Sequence, residues 1–250
     1  MKKAPKRYYL FSFIQLHFRK KYDTIIKIVR RGGKTMRLDK IIVKAFLKTL
    51  AAALLLLIIL FGVLAVAFPH TMMDLTYSLG MDKASVSFSL TSYERFHRVD
   101  YIAMGADTAL AAGMHEQANE CLELLIADEG FDDFCNARNE NLPDQAKGTT
   151  YQAYYFRQLC LAKYLMGDGN AAVERAVQLM DGTFVSGNPL VAVLAQARMD
   201  RQAGASTIQT IYNTMTALKD TDVYGNYSTD DKAYFDQVYV SVAKWTGENI

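Results

Sequence analysis

The residues that most often carry chemistry are sparse in this 250-residue chain. His115 and Glu116 begin like a zinc-binding helix, in which a second histidine follows four residues after the first. Residue 119 is asparagine, so the second ligand is missing. His97 and Asp100 fall on one face of a predicted helix, where a solvated surface pair is the simpler interpretation. We therefore expect no metal site.

Nucleophilic and cofactor-binding motifs are not found either. The sequence holds no G-x-S-x-G, no P-loop and no dinucleotide-binding glycine pattern. There are three cysteines, Cys121, Cys135 and Cys160. A small, odd number of cysteines does not indicate a disulfide framework. Cys121 and Cys160 lie on apolar helix faces, as small buried side chains do. The chain is therefore predicted not to be an enzyme and to require no cofactor.

The main structural element is the uncharged run Thr49–Pro69, of 21 residues. As a helix it would be ~31 Å long, which matches a hydrocarbon core of ~30 Å. We predict one transmembrane helix, continuous from about Asp39 to Phe68 and ended by Pro69. A signal peptide cleaved after Ala67 is the alternative, because Ala65-Val66-Ala67 fits a cleavage site. The long segment before the run and the length of the run favour an uncleaved signal-anchor.

Charge is distributed unevenly along the chain, although the net formal charge is only +2. Residues 1–48 carry fifteen Lys or Arg and two acids, a net charge of +13, which leaves −11 for the remainder. Lys and Arg beside a span remain in the cytoplasm. We therefore expect a single-pass protein of the cell membrane, with a cytoplasmic N-terminus and an extracytoplasmic C-terminal domain.

Residues 1–38 are predicted to form a basic cytoplasmic arm with an amphipathic helix over residues 7–31. Apolar residues recur there at steps of three and four, and basic residues occupy the other faces. Such an arm suits anionic lipid headgroups, which the lysines of the next helix also reach. The charge could instead only orient the span, or attract a protein or nucleic acid, but no nucleic acid is expected. The predicted membrane-surface residues are Phe11, Ile14, Phe18, Arg19, Lys20, Lys21, Tyr22, Ile25, Lys27, Val29, Arg30, Arg31, Lys40, Lys44 and Lys48.

After the span segment, residues 39–69, the chain divides into a predicted connector, residues 70–91, and a helical domain, residues 92–250. In the connector, Val86, Phe88 and Leu90 alternate with serines at strand spacing, but a lone strand has no partner, so we expect an extended linker. Seven helices are predicted in the domain, with the first six paired as hairpins. Their approximate ranges are 92–112, 114–128, 150–166, 170–181, 189–203, 206–219 and 229–246.

Capping patterns place the starts of these helices. Thr91, Thr149 and Ser206 each precede Glu or Gln by three residues, as in a capping box. Asn188 and Ser228 are further candidate N-caps. Glycines fall where helices should end. The acidic segment 128–148 is predicted to be a loop inserted between the first two hairpins.

The hairpins resemble tetratricopeptide-type (TPR) repeats. In that motif an alanine follows the turn residue by five positions. Gly113 is followed by Ala118, and Gly167 by Ala172, whereas Gln209 stands at this position after Gly204. The glycines are 54, 37 and 43 residues apart rather than 34, so the repeat is degenerate. The resemblance implies an all-α fold, a short TPR-like solenoid of stacked antiparallel hairpins. An irregular helix bundle is the alternative.

The resemblance further implies a function in binding. TPR-like domains bind proteins or peptides in a concave groove lined by the first helix of each hairpin. We expect a membrane-anchored adaptor or scaffold, similar to accessory factors of protein export or envelope assembly. A transmembrane regulator, whose basic arm contacts a cytoplasmic signalling partner, is the alternative.

Counting back from the turn glycines selects the groove residues. The predicted protein-binding positions are Tyr154, Arg157, Leu161, Tyr164, Val191, Leu194, Arg198 and Arg201, with Asp100 and Asp107 from the first hairpin. The three arginines would favour a carboxylate or acidic peptide, and the tyrosines would supply apolar contact. The alternative is that these arginines are scattered, solvated surface charges.

Overall fold

The computed structural model describes residues 38–142, 150–180, 182–185 and 187–247. Within these ranges the chain is all-helical and contains no strand, as predicted. Residues 1–37 lie outside them, and so does every predicted arm residue from Phe11 to Arg31. The helices are α1 (Leu38–Ala67), α2 (Pro69–Ser78), α3 (Asp82–Phe96), α4 (Val99–Ala111), α5 (His115–Ala127), α6 (Phe131–Asn139), α7 (Tyr151–Leu165), α8 (Gly169–Gln178), α9 (Pro189–Met199), α10 (Ala205–Lys219), α11 (Asp222–Asn226) and α12 (Thr229–Thr246).

Helix α1 confirms the predicted long apolar helix to within one residue at each end. Its segment Ile42–Ala67 is long and apolar enough to cross a membrane. None of the side chains in its most apolar window is buried among the residues that the structure describes, whereas those of a core helix in a soluble protein are mostly buried. Lys44 and Lys48 are exposed on this helix, and Lys40 lies in its first turn. The length and composition of α1 therefore fit a membrane span.

The predicted connector is not extended, because residues 69–96 form the helices α2 and α3. Two of the serines that suggested a strand, Ser85 and Ser89, lie on the buried face of α3, whereas Ser87 is exposed. Ser85 Oγ donates to the Met73 carbonyl of α2 at 3.2 Å, and Ser89 Oγ donates to the Tyr101 carbonyl of α4. Because these carbonyls satisfy the hydroxyls, serine can occupy core positions where an apolar residue is expected. The apolar periodicity of a helix is therefore concealed.

The predicted helix 92–112 is also wrong, since it is the end of α3 followed by α4. His97 ends α3 with a left-handed φ of 48°, and Arg98 precedes α4 in an extended conformation. Thr91 lies inside α3, where its hydroxyl donates to the Ser87 carbonyl, and is not a cap. The chain reverses at residues 97 and 98 without a glycine or proline to signal the turn.

The other predicted helix starts have mixed outcomes. Asn188 and Ser228 are confirmed as N-caps by side-chain bonds to Leu190 N and Asp231 N. The prediction that Ser206 is an N-cap is wrong, because Ser206 lies inside α10. Thr149 is outside the described residues, and the neighbouring Thr150 caps α7. The segment 128–148 is not wholly a loop, because it contains α6.

The predicted hairpins α4–α5, α7–α8 and α9–α10 are each present, with the two helices of each pair packed together. Gly113 and Gly167 have φ of 68° and 90°, which glycine adopts without strain. Helix α7 packs on α5, α9 on both α7 and α8, and α12 on α10. Each of these helices therefore packs mainly against helices that are close to it in the sequence.

Two apolar clusters form the interior, and α7 contributes to both. Tyr155 and Leu159 belong to the cluster made with α3 to α6, whereas Cys160 and Tyr164 belong to the cluster made with α8 to α12. A polar link adds to this packing. Glu123 of α5 pairs with Lys163 at 3.0 Å and Arg175 at 2.7 Å, on α7 and α8. Helix α7 is thus the central element between the two clusters.

The three cysteines supply a test of this packing, because Cys121, Cys135 and Cys160 are all fully buried. Burial raises the pKa of each thiol to about 12. Little of the reactive thiolate is then present at about pH 8. We expect maleimide to leave all three unlabelled in the folded chain and to label all three in denaturant, as measured by mass. Rapid labelling without denaturant would contradict the buried positions.

A candidate binding cavity beside helix α6

A solvent-open cavity of about 440 Å³ lies between α4, α6 and the start of α7. Tyrosine supplies most of its ring surface, and one acid and one arginine supply its charge. The lining residues are Asp107, Arg138, Leu142, Thr150, Tyr151, Tyr154 and Tyr155. Its volume lies in the range of small-molecule and side-chain pockets.

Arg138 connects the charged and aromatic parts of this cavity. Its Nη1 donates to the Tyr155 hydroxyl at 2.7 Å and lies 3.7 Å from an Asp107 carboxylate oxygen. The guanidinium also stacks over Phe134, 4.2 Å from the ring centroid, and lies 5.5 Å from the centre of Tyr151. The side chain is still 37% exposed. Arg138 is therefore held in place but remains accessible to a bound molecule.

Two of the cavity's tyrosines, Tyr154 and Tyr155, have raised pKa values. Burial raises the pKa of Tyr155, and the negative charge of Asp107 raises it further. Burial also raises the pKa of Tyr154. Desolvation raises the pKa of Asp107, while the Arg138 guanidinium opposes that shift. The cavity thus offers neutral phenol groups and one charge pair, a set suited to binding rather than to nucleophilic chemistry.

Helix α6 positions Arg138, and polar contacts with α7 fix α6. Asn139 Nδ2 donates to Gln152 Oε1 at 2.9 Å, and the Tyr151 backbone N–H donates to Asn139 Oδ1 at 2.8 Å. Asn136 Oδ1 accepts from Gln152 Nε2 at 3.1 Å. Phe131 anchors the start of α6 in the interior. These contacts explain why a short polar helix forms in a segment that the sequence indicated to be a loop.

A second cavity, of about 530 Å³, lies on another side of α6 and shares Arg138. Asp100, Val99 and Phe134 are among its lining residues. The two acidic positions that we predicted for the first hairpin, Asp100 and Asp107, therefore each line a cavity next to this helix.

The predicted groove residues are distributed over several environments. Tyr154 lines the tyrosine cavity together with Asp107, so the structure brings these two together. Tyr164 and Leu194 are buried in the C-terminal cluster. Burial and a hydrogen bond to Asp200 raise the pKa of Tyr164 to about 12. Tyr164 and Leu194 therefore present little surface to a partner.

The three predicted arginines have separate surroundings. Arg198 lies over the indole of Trp245, 3.6 Å from the ring centroid. Arg201 is exposed in the turn after α9 with a φ of 49°. Arg157 is half-buried on α7 near Gly187. Leu161 and Val191 are also half-buried.

Sequence reasoning missed Arg138 and Tyr155 as site residues. Both lie where the repeat pattern gives no guidance, Arg138 on the inserted α6 and Tyr155 one position beyond the selected Tyr154. A signal was nevertheless present, since Tyr151, Tyr154 and Tyr155 recur at helical spacing directly after the inserted segment.

No group of three or more His, Cys, Asp or Glu side chains that could hold a metal ion occurs in the part of the chain that the structure describes. The chain matches no protein-family model, no characterised protein and no solved structure.

Proposed function

We propose that the protein is a non-enzymatic, membrane-anchored adaptor whose helical domain holds a segment of a partner protein on the extracytoplasmic side. The hairpins α4–α5, α7–α8 and α9–α10 supply a short TPR-like array, and α6 is an insertion between the first two. The packing of α9 on both helices of the preceding hairpin supports such an array. Single-pass anchoring by α1 keeps the domain at the membrane.

The observation that carries the binding proposal is the tyrosine cavity. Tyrosine and arginine are the residues most enriched where proteins bind one another tightly. Here the rings of Tyr151 and Tyr154 border a charge pair, Arg138 and Asp107, in an open cavity of about 440 Å³. A partner segment can place an apolar or aromatic side chain against the rings. Its backbone can pair with the remaining donors of Arg138 and the acceptors of Asp107.

Crosslinking in the native membrane tests this binding proposal. A photoreactive side chain replaces Leu142 at the cavity rim, and a matched one replaces Met199, which is 68% exposed at the C-terminal end of α9 and does not line the cavity. We expect a discrete adduct only from position 142, and the adduct's mass spectrum identifies the partner. Tyr154→Ala should then weaken binding of the purified partner about tenfold or more, as a lost aromatic contact does.

Two results would contradict the proposal. The first is an adduct from both positions in equal yield, which indicates random collision. The second is full binding by Tyr154→Ala together with loss of binding by the double charge reversal Arg157→Glu and Arg201→Glu. That pattern would move the binding surface from the tyrosine cavity to the arginines predicted from the repeat pattern.

Orientation of the span is tested separately with single added cysteines. The basic excess before α1 predicts that Gly32→Cys stays in the cytoplasm and Val223→Cys lies outside. Position 223 is 42% exposed, and the native thiols are buried. We expect a membrane-impermeant thiol reagent to label only position 223 in intact cells whose outer barrier it can cross. Labelling of position 32 alone would reverse the orientation, and a mature chain that begins at Phe68 would make α1 a cleaved signal.

A further inference from the structure

The end of α3 and the turn into α4 combine basic and aromatic side chains that are exposed to solvent. These residues, Arg95-Phe96-His97-Arg98, are all exposed, and the Phe96 ring is 40% accessible. We call residues 95–98 the basic–aromatic turn. Phe96 lies between Arg95 and His97 in the sequence. Exposed apolar residues that join into one patch with a polar border mark interaction sites, whereas isolated ones do not.

This turn is attached to the end of α1. Arg95 Nη1 donates to the Val66 carbonyl at 2.7 Å, one residue before α1 ends. The His70 ring contacts Phe96 edge-on at 5.7 Å and Phe68 at 6.3 Å. The turn, the last residues of α1 and the start of α2 therefore form one continuous surface, on which Phe68 is 50% exposed.

The length of α1 indicates the depth of that surface in the bilayer. Lys48 is the last charge before the apolar run, and Phe68 follows it by twenty residues. Twenty residues of α-helix rise ~30 Å, the thickness of a hydrocarbon core. If Lys48 lies at one boundary of the bilayer, Val66 and Phe68 lie at the opposite one. The bond to Val66 then holds Arg95 at the level of the lipid headgroups.

We propose that the basic–aromatic turn, residues 95–98, is a membrane-surface contact that binds the phosphate groups of phospholipids. The exposed rings of Phe68 and Phe96 enter the boundary between headgroups and acyl chains, where interfacial helices place Trp, Phe and Leu side chains. Arg95 and Arg98 pair with phosphate oxygens through the N–H donors that their internal bonds leave over. This contact rests on the proposed span, but it does not depend on the tyrosine cavity.

The contact also accounts for the charged groups around the turn. Arg98 pairs with Asp100, and each arginine lies near a ring, Arg95 at 5.4 Å from Phe96 and Arg98 at 5.1 Å from Tyr101. These pairings hold the guanidinium groups close to the aromatic surface. Arginines fixed beside rings are suited to the narrow headgroup layer, where apolar and ionic contacts occur within a few ångströms.

Depth-dependent fluorescence quenching of the full chain in phosphatidylcholine vesicles tests the proposal. Trp245, the only tryptophan, is first replaced by phenylalanine, and Phe96→Trp then supplies a single reporter. Met199→Trp in the same background is the matched control at an exposed position, the C-terminal end of α9. We expect lipid brominated high on its acyl chains to reduce the fluorescence at position 96 about twofold and to leave position 199 almost unchanged. Equal quenching at both positions would overturn the contact.

Charge reversal separates the phosphate contact from the aromatic one. Arg95→Glu with Arg98→Glu should raise the reporter at position 96 out of the bilayer and at least halve its quenching, because carboxylates are repelled by phosphates. Lys83→Glu, an exposed charge at the other end of α3, should not. Unchanged quenching in the double variant would overturn phosphate binding. Vesicle flotation is measured in parallel, because a chain that does not float refutes the span itself, whereas one that floats without quenching refutes only this contact.

Discussion

Replacing Phe184 by alanine is expected to lower the free energy of unfolding of the helical domain by about 3–5 kcal/mol, the cost of removing a buried aromatic ring. Phe184 lies between α8 and α9 and is completely buried. Its ring meets Phe235 of α12 edge-on, with centroids 4.8 Å apart, and Tyr234 lies at 5.8 Å. Removal of the ring should therefore leave a cavity.

The next residue of the same connection is the matched control. Val185 is 46% exposed, and Val185→Ala should change the free energy of unfolding by at most about 0.5 kcal/mol. Both variants are measured by urea titration of the chain in detergent, with Trp245 of α12 as the fluorescent probe. Equal losses in the two variants would show that the connection does not anchor α12 through Phe184.

The role of Phe184 was not predictable from sequence, because it follows no helical periodicity. It stands between two predicted helices, in a connection with a glycine on either side. An isolated aromatic residue in such a place is as compatible with an exposed loop as with an anchor. What places it is the return of α12 from about fifty residues later in the chain, a contact between distant segments that a local pattern does not contain.

Helices with a conventional apolar face were predicted well. The apolar run of α1, the hairpin helices α5, α7 and α8, and the unpaired helix α12 are found within three residues of their expected ends. In each, large apolar residues or alanines repeat at helical spacing. Helix α3 was missed for the opposite reason, because Ser85, Ser89 and Ser92 occupy its buried positions. Short-range hydrophobicity cannot distinguish serines that bond to a neighbouring helix from serines that face solvent.

The candidate site was predictable only where its residues belong to the repeat pattern. Asp107 and Tyr154 were selected from the repeat pattern, and the structure places both on the wall of one cavity. Arg138 was not selected, because it lies in the acidic segment 128–148, which was predicted to be a loop. Its helix depends on contacts with α7 such as that of Asn139 with Gln152. Such tertiary contacts become visible only once the two helices are placed together.

Gly204→Ala is the second substitution with a large expected effect. Gly204 precedes α10, where the chain turns back onto the end of α9. A Cβ added there would lie 2.6 Å from the carbonyl carbon and 2.8 Å from the Cα of Ala197. These are backbone atoms of a packed helix, so no side chain can rotate away to relieve the clash. We expect the free energy of unfolding to fall by about 3 kcal/mol, as for an overpacked core position.

Gly225→Ala is the control that separates this clash from the general effect of losing a glycine. Gly225 lies in α11, and an added Cβ would have no neighbour within 4 Å. Alanine favours a helix over glycine, so this variant should be unchanged or up to about 1 kcal/mol more stable. Urea titrations of the two variants are compared with the unmodified chain. If Gly204→Ala is as stable as Gly225→Ala, α9 and α10 cannot approach as closely as the structure shows. That result would contradict the tight turn between α9 and α10 that forms the third hairpin. It would also contradict the packing that continues the array from α9 to α12.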